Sequence, residues 1–245
     1  MRTNVIPRSR ELSGKAEQQM RTWALALELT PPPKPSGKTP LASLIKPYIA
    51  LSREAGVDAA EIAQVVATEL HWKVLDREMV DYIADQHNWS RVSVESVDER
   101  QSSWFHDTLG KWLDSKLVSQ VEYVRGLGRI VALAAQRESV VFVGRGAQFI
   151  LPRDAGLTVR LVAPKKARLQ HLAQCANCSE HEAEKMLEEV DRGRADFVRR
   201  YFHRDIADAS VYDLVVNLEH FTNEQAAGLI IEASRLRFKD IAAKA

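Results

Sequence analysis

The stretch "IALSREAGVDAAEIAQVVATEL", from Ile49 to Leu70, has the order of residues that is typical of a strand, a tight loop and a helix. The run "PYIALS" is β-type, and the apolar residues after the loop recur at the spacing of an amphipathic helix, namely Ile62, Val65, Val66 and Leu70. Asp58 is suited to cap that helix, with Glu61 three residues later as in a capping box. The stretch therefore predicts a β-loop-α unit.

Strand-like and helix-like segments alternate from this unit to the C-terminus. The further strand-like runs are "WKVLD", "SVVFVGRG", "LTVRLVAP" and "YDLVVNLE". The intervening segments have helical spacing, and the one that ends in "GRIVALAAQR" is predicted as a single long helix or as two helices broken at Gly126 and Gly128. This alternation predicts an α/β fold with a mostly parallel sheet and right-handed crossovers. Ligands of such sheets bind beyond the carboxyl ends of the strands.

The bulk composition excludes several classes of function. The chain has 245 residues, 45% hydrophobic and 27% charged, with a net charge of +1. Such a balance gives no electrostatic reason to expect a nucleic-acid or acidic-membrane partner. No apolar run approaches the roughly 18 residues of a membrane span, and "MRTNVIPRSRELSGK" lacks the apolar core of a signal peptide. With two cysteines that fit a reducing compartment, a cytoplasmic protein is expected.

The first 40 residues differ in composition from the rest of the chain. "GKAEQQMRTWALALELT" predicts a short apolar helix, and "PPPKPSGKTP" predicts a stiff polyproline-II linker. We therefore predict an N-terminal helix and Pro-rich linker over residues 1–40 and an α/β domain over residues 41–245. The N-terminal helix can serve to dock a second copy or another protein.

The Gly-Lys-Thr within this linker resembles the end of a phosphate-binding P-loop, but its context argues against that function. A P-loop has a glycine five residues before Gly37, whereas this chain has Pro32. Pro40 also disfavours helical dihedral angles at Thr39, and no strand precedes the segment. The segment is therefore interpreted as linker.

The loop after the first predicted strand is a second candidate for phosphate binding. A glycine-rich loop there would direct backbone N–H groups and the positive end of a helix toward an anion. Only Gly56 is present, and Asp58 would repel a phosphate. A capped helix start and a phosphate-binding loop both remain open at this point.

Two further candidates lie at the ends of predicted strands. Arg145, in "VFVGRGAQFILP", follows a buried strand, where a guanidinium can bind a phosphate through two parallel hydrogen bonds or pair with a structural carboxylate. Asp76 ends the second strand, where it can orient a substrate or cap the following helix.

The segment "DRGRADFVRRYFHRD" is rich in arginine. Arg192, Asp196 and Arg199 are spaced so that they share one helix face. Two arginines oriented by an acid suit a transferring phosphoryl group. The alternative is an ion-pair network on the protein surface.

A group of soft ligands occurs in "HLAQCANCSEH", which contains His171, Cys175, Cys178 and His181. Four such residues can hold zinc, and a Cys-x-x-Cys pair can be redox-active. The same letters also predict a turn followed by a capping box, with Ser179 and Glu182, at the start of the next helix.

Together these motifs resemble the cytidylate kinase-like family, relatives of the nucleoside monophosphate kinases, from about Tyr48 to Ile231. Members usually carry Gly-Ser-Gly-Gly where this chain has Gly56-Val57-Asp58-Ala59, and an Asp-ended second strand like "VLDREMV". Cytidylate kinases carry a Gly-Arg-Asp that resembles Gly144-Arg145-Gly146, and a lid motif that resembles Arg192, Asp196 and Arg199. "YDLVVNLEHFTNEQAAGLI" resembles their last strand and helix.

The resemblance implies a three-layer, parallel-sheet P-loop kinase-like fold with a helical lid. It also implies phosphoryl transfer from ATP, with Mg²⁺, to CMP or dCMP. Three arginines would then clamp the acceptor phosphate and the group in flight, with two acids as further substrate-binding residues: Arg145, Arg192 and Arg199, with Asp76 and Asp196. The residues expected at the donor phosphates are Ser52, Arg53, Gly56, Asp58 and Ala59.

The departures from the family pattern fall on the donor side. The loop has no P-loop lysine, no Ser or Thr to hold Mg²⁺, and Asp58 and Ala59 in place of two glycines. Gly146 replaces an acidic residue. We therefore hypothesise a nucleotide kinase-like protein that transfers phosphoryl groups slowly or not at all. The alternatives are a non-catalytic pseudo-kinase that binds a nucleotide or another anion and acts through a partner, and a structural protein whose arginines pair internally.

Overall fold

A computed structural model describes residues 45–76 and 118–242 of the chain. Within these ranges five strands form one sheet in the order β2-β3-β1-β4-β5, and every pair of neighbouring strands is parallel. The strands are β1 (Tyr48–Arg53), β2 (Lys73–Leu75), β3 (Val140–Val143), β4 (Gly156–Val162) and β5 (Leu214–Asn217). The predicted parallel α/β fold is confirmed.

Helices connect the strands and cover both faces of the sheet. They are α1 (Ala59–Leu70), α2 (Val118–Arg137), α3 (Ala147–Ile150), α4 (Lys165–Ala176), α5 (Glu180–Phe202) and α6 (Asn223–Ala242). Tyr48, Ala50 and Phe142 belong to the hydrophobic cluster that includes α2, whereas Ile49 and Leu51 belong to the cluster that includes α1 and α6. Successive strand residues face opposite sides of a sheet, so β1 contributes to both clusters and lies at the centre of three layers.

β1 is buried because it has a neighbour on each edge and helices on each face. Ala50 pairs with Phe142 of β3 and with Thr158 of β4, and the first five residues of β1 are all buried. Strands covered on both faces are typically apolar without alternation, which is the pattern of "YIAL". β1 thus delivers the loop that follows it to the middle of the carboxyl edge.

Helix α2 runs without interruption through Gly126 and Gly128, so the predicted alternative of two helices is wrong. Each glycine costs about 0.5–1 kcal/mol relative to alanine within a helix. Burial of large side chains contributes roughly 1.5–3 kcal/mol each, and Leu127 and Val131 are almost completely buried. Packing therefore outweighs the glycine penalty.

The helical hairpin of α4 and α5 lies over the carboxyl edge of the sheet. Asn177 adopts a left-handed conformation that ends α4, and Ser179 and Glu182 form the predicted capping box at the start of α5. At the other end of α5, the ring of Phe202 packs so closely on Gly146 that an added Cβ would lie 2.3 Å from it. These contacts fix the inner face of α5 above the strand ends.

Several predictions fall on other parts of the chain. Four predictions lie outside the described residues: the N-terminal helix, the Pro-rich linker, the boundary at residues 40/41 and the helix predicted for "REMVDYIADQHN". None of the helices within residues 45–76 and 118–242 has the length and apolar character needed to cross a membrane.

Candidate functional site

The turn after β3 has an unusual backbone. Gly144, Arg145 and Gly146 all have positive φ angles, of 84°, 55° and 69°. A left-handed conformation costs a residue with a side chain about 1–2 kcal/mol, so Arg145 is held in place by its surroundings. Its guanidinium lies over the ring of Phe197 in α5, 5.4 Å from the centroid. The turn thereby directs an arginine beneath the helical hairpin.

A cavity of about 320 Å³ lies between this turn and α5. Ser52 and Arg53, at the end of β1, form its floor, and the Gly-Arg-Gly turn forms one wall. The inner face of α5 covers it with Gly193, Arg194 and Phe197. Small-molecule sites are typically about 300–1,000 Å³ and lie at such strand ends in α/β proteins.

Three arginines line this cavity and give it a positive charge. They are Arg53, Arg145 and Arg194; the carboxylate of Glu189 also lines the cavity, and Nη1 of Arg194 is 4.0 Å from Oδ1 of Asp191. Arg194 donates from Nη1 to the backbone carbonyl of Arg53 at 3.2 Å. The guanidinium of Arg53 rests on Gly144, where an added Cβ would lie 2.2 Å from Nη1. We call this space the arginine-lined cavity; guanidinium groups converging in this way suit a phosphate.

Arg194 was not among the residues predicted from the sequence. A signal for it does exist, because Arg194 lies four residues from both Val190 and Val198, which line the same cavity. Residues four apart share a helix face. The inner face of α5 could therefore have been identified by its apolar residues.

The predicted lid residues lie elsewhere. Arg192, Asp196 and Arg199 are exposed and do not line the arginine-lined cavity. Arg199 donates to Asp196 at 3.3 Å, and its side chain is 70% exposed. They do share a helix face as predicted, but that face is rotated away from the one that carries Arg194. The expected convergence of Arg192 and Arg199 with Arg145 is therefore absent from this structure.

The β1–α1 loop, residues 54–58, is bound by groups of this chain. The backbone N–H of Ala55 donates to Oδ1 of Asp191 in α5 at 2.7 Å. Arg168 in α4 donates to Oδ2 of the same carboxylate at 2.7 Å, to the carbonyl of Ala55 at 3.1 Å, and pairs with Glu54 at 3.3 Å. An internal carboxylate thus occupies an N–H group that a phosphate-binding loop would direct to its ligand.

Gly56 allows α4 to approach this loop. Its φ is 78°, and an added Cβ would lie 2.5 Å from the carbonyl oxygen of Arg168. The carbonyl of Gly56 is 2.9 Å from Nδ1 of His171. Asp58 caps α1, as predicted, and Ala59 is buried beneath the helix start. Of the residues predicted for donor phosphates, Ser52 and Arg53 line the arginine-lined cavity, whereas these three have structural contacts.

The remaining candidates lie away from the cavity. Asp76 directly follows β2 and is not among the cavity-lining residues. Nε2 of His171 is 3.4 Å from Sγ of Cys175. In the part of the chain that the structure describes, no three His, Cys, Asp or Glu side chains are grouped so as to hold a metal. Cys178 and His181 are therefore not part of such a group.

Residues 48–220 match the family model described as "Cytidylate kinase-like family". A cytidylate kinase of Sulfolobus acidocaldarius is 27% identical over 99 residues, which are 40% of this chain and only 54% of that protein. The crystal structure of an uncharacterized protein from Eubacterium ventriosum has a TM-score of 0.63 at 17% identity, covering 78% of this chain and 98% of the other. A shikimate kinase from Acinetobacter baumannii has a TM-score of 0.43 at 16% identity, covering 79% and 96%. The Eubacterium protein shares the fold.

Proposed function

Because this chain belongs to the cytidylate kinase-like family, we propose that it binds a CMP-like nucleotide with its phosphate in the arginine-lined cavity. We further propose that phosphoryl transfer from ATP to CMP or dCMP is slow or absent. The observation that carries the binding proposal is the presence of Arg53, Arg145 and Arg194 around one space at the carboxyl ends of β1 and β3.

The chemistry of these groups supports an acceptor phosphate. A guanidinium is charged at all physiological pH values and forms charge-assisted hydrogen bonds, which are stronger than neutral ones. The three arginines come from β1, the turn after β3, and α5, so a phosphate in the cavity would be surrounded by cations from all three elements. Glu189 at the rim suits a hydroxyl or amine donor of the nucleoside.

The β1–α1 loop supports the proposal that transfer is impaired. A donor phosphate approaching the loop would meet the carboxylate of Asp191 on the N–H of Ala55, and Asp58 nearby. Phosphoryl transfer depends on positioning and charge neutralisation, and this loop lacks the lysine that would supply both. Like charges at the loop therefore oppose the binding of ATP.

The described loop does not fit a resident Mg²⁺. This ion needs oxygen ligands and usually retains several waters. Of the three carboxylates at the loop, Glu54 and Asp191 are paired with Arg168, and Asp58 caps α1. Mg²⁺ would therefore enter with the phosphates of ATP.

Two neighbouring arginines test the acceptor site. We expect Arg194→Ala to weaken CMP binding by about tenfold or more, since it removes a charge-assisted contact. Arg192→Ala, with the same charge change two residues away, should leave the affinity within about twofold. Isothermal titration calorimetry with CMP measures both. The reverse order would instead support a site formed by Arg192, Asp196 and Arg199.

A coupled assay with ATP–Mg²⁺ and CMP tests the transfer step. We expect turnover well below the range of about 1–100 s⁻¹ that is typical of kinases. Asp191→Asn should strengthen ATP binding because it removes a negative charge from the loop, whereas Glu180→Gln, an equal charge change at the start of the same helix, should not. Turnover within the ordinary range in the unaltered protein would contradict the impaired-transfer proposal.

The second candidate function is a pseudo-kinase that binds a nucleotide and acts through a protein partner. The hydrogen bond between Asp191 and Ala55 favours it over a fast kinase. The two functions separate at ATP: a slow kinase binds both CMP and ATP–Mg²⁺, while a pseudo-kinase of this kind binds CMP alone. Calorimetry with each nucleotide distinguishes them.

A further inference from the structure

Arg160 is a buried cation beside the arginine-lined cavity. It lies on β4, directly across from Ser52 of β1, and is only 8% exposed. Its Nη1 donates to Oγ of Ser52 at 2.8 Å, and its guanidinium lies 6.0 Å from the ring centroid of Tyr212. None of the acidic side chains in residues 45–76 and 118–242 forms an ion pair with it. The fold thus holds a guanidinium whose contacts are a hydroxyl and an aromatic ring.

Such an arrangement opposes folding unless something compensates for it. A buried charge is normally paired, because removal from water disfavours the charged form strongly. The contact with Tyr212 supplies part of the compensation. Arg160 has no counter-ion among the residues that the structure describes, and a charge of this kind next to a cavity indicates a ligand that supplies one.

The hydrogen bonds of Ser52 connect Arg160 to the cavity. Ser52 lines the cavity, whereas Arg160 lies behind it. Tyr212 donates its hydroxyl proton to the carbonyl of Ile206 at 2.9 Å, because a carbonyl can only accept. The contact of 3.3 Å between the Tyr212 and Ser52 oxygens therefore has Ser52 as its donor. With its oxygen accepting from Arg160, Ser52 can turn its proton from this long contact to a ligand oxygen.

We propose that Arg160 and Ser52 form an anion subsite at the floor of the arginine-lined cavity, and that its ligand is the dianionic phosphate of a phosphomonoester. The proposal rests on the function proposed above for that cavity. Ser52 contacts the phosphate, and Arg160 is a positioning residue that acts through Ser52 and through its charge. A fourth positive charge favours a dianion over a monoanion, so a phosphodiester binds more weakly than a phosphomonoester.

The test compares Arg160→Met with Arg237→Met. Arg237 also binds neutral groups, the backbone carbonyls of Gly156 and Arg153, and the exchange changes the net charge equally. The probes are CMP, inorganic phosphate, and dimethyl phosphate as a monoanionic diester. We expect Arg160→Met to weaken the binding of CMP and of inorganic phosphate by about tenfold or more. Their affinities should then be closer to that of dimethyl phosphate. Arg237→Met should bind CMP within about twofold of the unaltered protein.

Thermal unfolding without ligand distinguishes this function from a structural one. Arg160→Met should melt within about 2 °C of the unaltered protein or higher, since it removes an unpaired buried charge. A lower melting temperature with unchanged affinity for CMP would overturn the proposal. If Arg160→Met does not fold, Ser52→Ala, which removes the hydroxyl alone, should still weaken inorganic phosphate and CMP severalfold, and unchanged affinity there would also overturn it.

The outcomes separate the subsite from the function on which it rests. If inorganic phosphate binds the unaltered protein and requires Arg160 but CMP does not bind, the subsite stands and the nucleotide function fails. If CMP binds equally well to the unaltered protein and to Arg160→Met, the nucleotide function stands and the subsite fails. If none of the three anions binds the unaltered protein, both fail.

Discussion

Arg145 combines a strained backbone with a side chain that lines the candidate site. Its φ of 55° is unfavourable for any residue with a Cβ, whereas glycine adopts it freely. We expect Arg145→Gly to keep the free energy of unfolding within about 1 kcal/mol, because relief of strain offsets the lost contact with Phe197. The same variant should weaken CMP binding by about tenfold or more.

Arg145→Ala is the matched control, since it removes the guanidinium but keeps the strain. Its free energy of unfolding should be about 1 kcal/mol lower than that of Arg145→Gly. Urea denaturation and calorimetry measure the two properties. Equal stability of the two variants would show that the left-handed backbone is not strained in solution.

Gly56 provides a second prediction at this scale. Alanine there would have to shift the backbone of Arg168, and its φ is also positive, so we expect Gly56→Ala to lower the free energy of unfolding by about 2 kcal/mol or more. Gly228 in α6 has no atom within 4 Å of an added Cβ. Gly228→Ala should therefore raise the free energy of unfolding by about 0.5–1 kcal/mol. Thermal or urea denaturation checks both signs.

Single residues of the site were predictable only where they lie close to the end of a predicted strand. Arg145 lies two residues after the end of β3, so its place at the carboxyl edge could be predicted. Arg192 and Arg199 lie on a long helix, where the choice of inner face depends on tertiary packing. Asp191 and Arg168 meet each other and the β1–α1 loop only after α4 and α5 fold back, and Arg160 interrupts a strand pattern that gives no sign of its partner.

At the scale of elements, the carboxylate of Asp213, just before β5, is hydrogen-bonded to β4. Asp213 accepts from the backbone N–H and the hydroxyl of Thr158, each at 2.7 Å, and from Arg153 at 2.8 Å. Partial burial pushes the pKa of Asp213 upward, but the hydrogen bonds from Thr158 and the charge of Arg153 outweigh it, so the pKa is lowered. Because its pKa is lower in the folded than in the unfolded protein, ionised Asp213 stabilises the fold at pH values above the ordinary pKa of Asp. This stabilisation is lost as the pH falls through the folded pKa.

We therefore expect Asp213→Asn to lower the free energy of unfolding at pH 7 by about 1–2 kcal/mol. The difference from the unaltered protein should begin to shrink below the ordinary Asp value of about pH 4, where the unfolded carboxyl is protonated, and should shrink further as the pH falls through the lower folded value. Urea denaturation at pH 7 and pH 3 measures it. A difference that is the same at both pH values would mean that the charge of Asp213 contributes nothing.

The elements themselves were largely predictable because strands and helices differ in hydrophobic period. All five strands were predicted in this way, and the caps at Asp58 and Ser179 were predicted from the residue types at the helix starts. The exceptions are α3, a single helical turn that the sequence analysis did not predict, and the option of a break in α2 at Gly126 and Gly128. Propensity is local, whereas the burial of Leu127 between them depends on the sheet against which α2 packs.

For the whole molecule, the predicted division at residues 40/41 leads to a test by truncation. The run "PPPKPSGKTP" before residue 41 has the composition of a stiff linker, and such linkers typically separate folding units. We expect the chain without residues 1–40 to unfold in one cooperative transition, with a melting temperature within about 3 °C of the full chain. Loss of cooperative unfolding would show that the N-terminal segment belongs to the same folding unit.

The strand order also has a consequence for biosynthesis. Ser52 and its neighbour on β4, Arg160, are 108 residues apart, and β1 is flanked by strands that both follow it at long range. At translation rates of about 5–20 residues per second, the apolar β1 emerges from the ribosome roughly 5–20 seconds before β4. Its unpaired edges are a template for association between nascent chains during that interval. We therefore expect the yield of folded protein to depend on chaperones that shield extended apolar segments, and to fall when synthesis outpaces them.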